Sequence, residues 1–159
     1  MTVAPVTIET LPAQTVAYAI CSGSYANLPK RLNRLFDWLK EHGLPMAGPP
    51  CGRLPGPTEE AAAGKFMWEL LVPVPEATLL QAPDAEQFGI KRIDAREVAV
   101  VLYHGPYDTT SKAFPALKDW ITSHGYDFAG ISEEWWLDDD DDVAPNELRT
   151  KIAYPVKKK

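Results

Sequence analysis

Moved against itself by 82 positions, the chain repeats. Residues 11–48 fall on residues 93–130 without a gap, and 13 of the 38 aligned positions are identical. Among them are Gly23/Gly105, Tyr25/Tyr107, Leu35/Leu117, Trp38/Trp120, His42/His124 and Gly43/Gly125. The same offset places Pro73-Val74 on Pro155-Val156. A solenoid needs at least about three repeats. Two copies in 159 residues predict a single pseudo-symmetric domain, with one copy over 3–75 and the other over 88–156.

Both copies read alike. Extended stretches at 6–11 and 89–93 come first, then apolar, β-branched runs at 15–22 and 97–104. A Gly-x-Tyr corner follows, then a helix. Leu32, Leu35, Phe36 and Leu39 stand at helical spacing in the first copy, and Phe114, Leu117 and Ile121 in the second. These predict helices over 29–42 and 111–124. His-Gly ends both, with glycine as the left-handed residue after the last turn. Pro115 is tolerated only at the edge of the first turn. Closing strands are expected at 51–54 and 66–74, then at 133–137 and 147–156. The linker is 76–87. The fold class is α+β: tandem strand–helix–strand–strand modules in one curved, mainly antiparallel sheet, with both helices on one face.

Composition excludes several classes. Hydrophobic residues at 45% and charged residues at 24% are ordinary for a soluble domain. The longest apolar run is 98–103, too short to span a membrane. No basic-then-apolar leader opens the chain, and Cys21 and Cys51 read as reduced thiols, so a cytoplasmic location is expected. Net charge is −6, and no basic stripe occurs outside Lys157, Lys158 and Lys159, which argues against direct nucleic-acid binding. No His or Cys spacing suits a metal, and no phosphate-loop or dinucleotide fingerprint is present. No cofactor is expected. The acidic run 138–142 lacks the glycine and closing glutamate of a calcium loop and reads as an exposed, dispensable loop.

Several features together carry a family resemblance. They are His104-Gly105-Pro106-Tyr107, a helix ending Trp120-x-x-x-His124-Gly125, then Glu133-Glu134-Trp135-Trp136-Leu137 and a last strand ending Tyr154-Pro155-Val156. With the duplication, this set over residues 3–156 resembles the GyrI-like small-molecule-binding family, the effector-binding domain of many bacterial transcription activators. The resemblance implies a ligand cleft on the face opposite the helices. It also makes Glu134 the counterpart of an acid that contacts hydrophobic cations in multidrug-sensing members. Two tryptophans in place of the usual aliphatic and Tyr pair, and five aspartates after them, depart from the family pattern.

Strand alternation puts Glu134 and Trp136 on one face and Glu133, Trp135 and Leu137 on the other. A carboxylate beside an indole suits an organic cation; the plain alternative is a packed Trp pair with a solvated Glu134. Glu69, within an apolar strand, is costly to bury unpaired; it either faces the cleft or pairs with Lys151, its equivalent in the other copy. Trp68, Tyr18, Tyr103 and Tyr154 are further candidate ligand contacts, each with simple packing as its alternative. The expected partner is a hydrophobic, cationic small molecule. The expected role is a free-standing, monomeric binder that protects or regulates, because the two copies leave no room in these residues for a helix-turn-helix. One alternative is a hydrolase of electrophilic small molecules using Glu134 or Glu69 as a general base. The other is a protein-interaction role, inhibiting DNA gyrase as the family's namesake does.

Overall fold

The computed structural model describes residues 2–3, 5–23, 25–54, 67–77, 87–139 and 141–159. Phe66, most of the loop after residue 54, most of the linker and Asp140 lie outside the described residues. The chain forms two compact units. One comprises the residues up to Pro12 and those from Ala95 onward, here unit 1; the other, unit 2, is Ala13–Asp94.

In unit 2, β3 (Gln14–Ser22) lies between β5 (Met67–Pro73) and β6 (Phe88–Ile93), and β4 (Cys51–Arg53) pairs with β5. Every pairing is antiparallel. In unit 1, β7 (Arg96–His104) lies between β10 (Arg149–Lys158) on one side and β1 (Thr2–Val3) and β2 (Thr7–Leu11) on the other. β9 (Glu133–Trp136) and the short β8 (Tyr126–Phe128) pair with β10. The fold is α+β with antiparallel strands.

The registers of the two units coincide at the 82-residue offset. Val16 opposes Pro73 as Val98 opposes Pro155, and Cys51 opposes Leu71 as Glu133 opposes Ala153. The first strand of each copy, however, is exchanged. β2 pairs with β7 rather than β3, and β6 pairs with β3 rather than β7. The structural units therefore cut across the repeat boundaries 3–75 and 88–156. The cause is local. A two-residue hairpin needs positive φ, supplied by Gly or Asn. The connections here are Pro12-Ala13 and Asp94-Ala95, and no described non-glycine residue has positive φ. Proline is held near −65°. The chain runs on instead of folding back.

Helix α1 (Leu28–Glu41) buries Leu35, Trp38 and Leu39. Each such side chain contributes about 1.5–3 kcal/mol by burial. Trp38 stacks on Phe88 at 5.7 Å. Phe88 opposes Ala19, so α1 covers the sheet face that carries Ala19, Cys21, Trp68, Leu70 and Val72. In unit 1, helix α2 (Phe114–Ser123) follows a 3-10 segment, Tyr107–Ala113. The helix expected from Ser111 thus starts at Phe114, with Pro115 in the first turn, where its missing N–H costs nothing. Leu117 and Ile121 of α2 pack with Val101, Tyr103 and Ile152.

The repeated Trp-x-x-x-His-Gly now has a reason. The Nδ1 atoms of His42 and His124 each lie 2.8 Å from the carbonyl four residues back, that of Trp38 and Trp120. Each adds a second partner to a carbonyl that already accepts the histidine's own backbone N–H, at 3.2 Å from His42 and 3.0 Å from His124, and so fastens the helix end. Gly43 and Gly125 follow at φ +64° and +79°. No described helix is long and apolar enough to cross a membrane.

Candidate functional site

β9 places two adjacent glutamates on opposite sides of unit 1. Glu133 is fully buried. Arg96 donates to both its oxygens, Nε and Nη2 each at 2.6 Å, and the Trp135 indole N–H donates to Oε1 at 3.0 Å. This carboxylate is fully neutralised, as a buried charge must be. It makes a structural clamp between β7 and β9.

Glu134 differs. It is 6% exposed, and among the described residues no cation pairs with it. Burial pushes its carboxyl above the ordinary glutamate range; a hydrogen bond from the Thr110 hydroxyl opposes this without cancelling it. Glu134 opposes Ile152 and Trp136 opposes Thr150. Directly opposed residues share a face, so Glu134 and Trp136 stand on the side that α2 and the 3-10 segment cover, not on the face opposite the helices where the resemblance put the ligand cleft. Tyr103, opposite Thr150, and Tyr154, a diagonal neighbour of Glu134, share that side. Of the expected residues, the structure thus gathers Glu134, Trp136, Tyr103 and Tyr154 on one face of unit 1.

Their roles diverge. Tyr103 is fully buried, its hydroxyl 2.6 Å from Thr109 Oγ1, and it packs in the α2 core. Tyr154 is half-buried against Phe128 at 4.8 Å; burial raises its phenol pKa. Trp136 is 7% exposed and lies 6.4 Å from the ring of Tyr107. The Tyr107 hydroxyl donates to the Asp138 carbonyl at 2.5 Å and accepts from the Asp138 amide at 3.0 Å. This anchors the 3-10 segment to the end of β9.

The remaining expected residues belong to unit 2. Trp68 is on its helix-covered face, 3% exposed, and donates its indole N–H to the Gly23 carbonyl at 3.0 Å. Glu69 and Tyr18 are on the other face. Glu69 is held by Lys91 at 2.7 Å and Arg53 at 3.4 Å. In unit 1 its equivalent Lys151 binds Glu9 at 3.3 Å; the exchanged strands β6 and β2 supply Lys91 and Glu9 as the partners within each unit. The Lys91 ammonium also sits 4.8 Å above the Tyr18 ring.

Asp138 corrects the reading of the acidic run. Its side chain accepts from the Arg149 amide at 2.8 Å and pairs with the Arg149 guanidinium at 2.9 Å. That hydrogen bonding holds its carboxyl below the ordinary range. Asp139, Asp141 and Asp142 are exposed. Among the described residues no group of three His, Cys, Asp or Glu is placed to hold a metal.

The contacts of Thr110 and Tyr107, and the place of Thr150 on this face, were not legible in the sequence. The 82-residue offset carried a signal for two positions: Glu134 answers to Gly52, and Thr150 to Trp68.

Comparisons with known proteins agree with this architecture. The profile of the GyrI-like small molecule binding domain matches residues 4–157. The C-terminal domain of EcmrR superposes with a TM-score of 0.82 at 18% identity, covering 98% of each chain. EcmrR in a complex with DNA gives 0.83 at 17% identity; 98% of this chain is covered, and it spans 58% of the length of EcmrR. SAV2435 bound to tetraphenylphosphonium gives 0.60 at 12% identity, over 97% of this chain and 94% of that one. A hydrolase from Listeria innocua gives 0.66 at 12% identity, over 96% and 91%. At these identities the likeness is one of fold. No curated protein matches in sequence.

Proposed function

Since the chain belongs to the GyrI-like small-molecule-binding family, we propose that it binds a hydrophobic organic cation, with Glu134 as the counter-charge and Trp136 beside it. The observation that carries this reading is the state of Glu134. It is buried, it has no cationic partner among the described residues, and its carboxyl is raised by desolvation. A buried carboxylate is stable only when paired, and Glu133 next to it shows how this chain pairs one for structure. An entering cation completes the pair at Glu134. The attraction is stronger there than in water, because the local dielectric is lower. The indole of Trp136 adds a negative π-face. The tetraphenylphosphonium bound by SAV2435 supports a hydrophobic organic cation as the ligand class. EcmrR in its DNA complex supports an effector-sensing role in transcription, with DNA contacted by other protein elements.

Glu134→Gln keeps the shape and removes the charge. It should weaken tetraphenylphosphonium by tenfold or more, about 1.4 kcal/mol, and leave the neutral analogue triphenylphosphine oxide unchanged, as read by tryptophan fluorescence. No binding to wild type, or equal binding to the Gln variant, defeats the reading.

A raised carboxyl also suits a general base for hydrolysis. Glu69, the second acid expected for that role, is already held by Lys91 and Arg53. That favours binding over catalysis.

A further inference from the structure

Thr150 is fully buried, and its hydroxyl has no hydrogen-bond partner. Buried hydroxyls are nearly always paired, and an unpaired one is less stable than the isosteric valine. The neighbouring hydroxyls are engaged elsewhere. Tyr103 and Thr109 bond each other, Thr109 also donates to the Pro106 carbonyl at 2.9 Å, and Thr110 donates to the Tyr107 carbonyl at 3.4 Å. Thr150 stands between Tyr103 and Trp136 in the sheet register, diagonal to Glu134 on the same face.

Unit 2 shows what this position does when it serves packing alone. The equivalents of Thr150 and Glu134 are Trp68 and Gly52. There the large side chain is on the central strand and the glycine beside it, and the indole N–H is satisfied by the Gly23 carbonyl. Unit 1 reverses the sizes and leaves two polar groups, a carboxyl and a hydroxyl, on one apolar face.

We infer that the Thr150 hydroxyl is a second polar contact for the cation held by Glu134, so that the site selects ammonium ions with at least two N–H groups over cations with none. This rests on the reading of Glu134 given above. Such an ion donates one N–H to the carboxylate and another to the hydroxyl oxygen. With bonds of about 2.9 Å leaving a tetrahedral nitrogen at about 109°, one nitrogen bridges oxygens about 4.7 Å apart, a gap to which the long glutamate side chain narrows the diagonal strand spacing. A quaternary ammonium satisfies the charge but leaves the hydroxyl unpaired.

The test uses the full chain and two matched probes, dibenzylammonium and dibenzyldimethylammonium, titrated calorimetrically. Wild type should prefer the first. Thr150→Val should weaken dibenzylammonium about tenfold, equivalent to ~1.4 kcal/mol, leave the quaternary ion unchanged, and melt no lower than wild type. Thr150→Ser, which keeps the hydroxyl, should keep the preference. If Thr150→Val weakens both probes equally, or neither, while Glu134→Gln weakens both, Thr150 is a packing residue and the inference falls alone. If wild type binds neither probe, or Glu134→Gln weakens neither, the Glu134 reading falls and this one with it.

Discussion

Glu69 and Lys151 occupy equivalent places in the two units with opposite charges, and each meets a partner of opposite sign at an equivalent place. Glu69 binds Lys91 at 2.7 Å, and Lys151 binds Glu9 at 3.3 Å. The two units hold the same ion pair with inverted polarity. This is possible because the pair joins a central strand to the exchanged edge strand in both units.

The two pairs should respond unequally to charge reversal. Glu69→Lys sets a third cation beside Arg53 and Lys91 and should cost roughly 1–2 kcal/mol of stability. Lys151→Glu faces Glu9, whose side chain is 42% exposed, and should cost under about 1 kcal/mol. Urea denaturation compares them; equal losses would show that Arg53 adds nothing to the Glu69 site.

Glu134 should make stability depend on pH. Its folded carboxyl is raised above the unfolded one. Below the ordinary glutamate value of about 4.3 it is protonated in both states and carries no penalty. As pH rises through that value the unfolded state ionises first, so stability is lost until the folded carboxyl ionises too. Glu134→Gln lacks this loss. Its thermal midpoint relative to wild type should therefore climb from pH 3 toward neutrality, and a constant difference would contradict a raised carboxyl.

The Arg96–Glu133 clamp should be costly to break from one side. Arg96→Ala removes the guanidinium that neutralises the buried Glu133 and should cost about 3–5 kcal/mol. Unit 2 carries Gln14 and Cys51 at these positions. Arg96→Gln with Glu133→Cys should therefore recover most of the loss. Failure of the double variant to exceed the single one in denaturant midpoint would mean that the clamp does more than neutralise a charge.

The acidic run should divide. Replacing Asp139, Asp141 and Asp142 together by Asn should leave the thermal midpoint equal or higher, because like charges then repel less. Asp138→Asn should lower it, by an amount that shrinks in high salt. Equal behaviour of the four positions would deny the Asp138–Arg149 contact its role.

Local order was legible because the duplicated pattern states it twice. Strand and helix positions fall within a few residues of expectation, and Trp38, His42 and Gly43 announce a helix end that Trp120, His124 and Gly125 repeat. The exchange of β2 and β6 was not legible from the repeat itself. Self-similarity says which segments are alike, but not which copy of a strand pairs with which neighbour; only Pro12-Ala13 and Asp94-Ala95 bear on it, through the hairpin they do not favour. Alternation placed Glu134 with Trp136 and apart from Glu133. It did not show which glutamate Arg96 neutralises, because that depends on which strands lie side by side. The Thr110 contact escaped for a similar reason: residues 107–113 form a 3-10 segment, whose geometry is tighter than the α-helix that the apolar spacing implied from residue 111.

The exchanged strands give the gene an unusual property. Recombination between misaligned copies removes 82 residues wherever in the repeat it occurs, and a junction at Pro12 and Ala95 excises all of unit 2 as one uninterrupted segment. The shortened product still encodes one helix and one copy of every repeated strand. Its first strand meets the Pro-Ala junction, which disfavours a tight reversal. The strand would then be offered to a second identical chain. A half-length gene would specify a reciprocal homodimer, and the present chain has the connectivity of such a dimer fused end to end. Two identical subunits could not carry Glu134 and Thr150 in one copy and Gly52 and Trp68 in the other, as this single chain does.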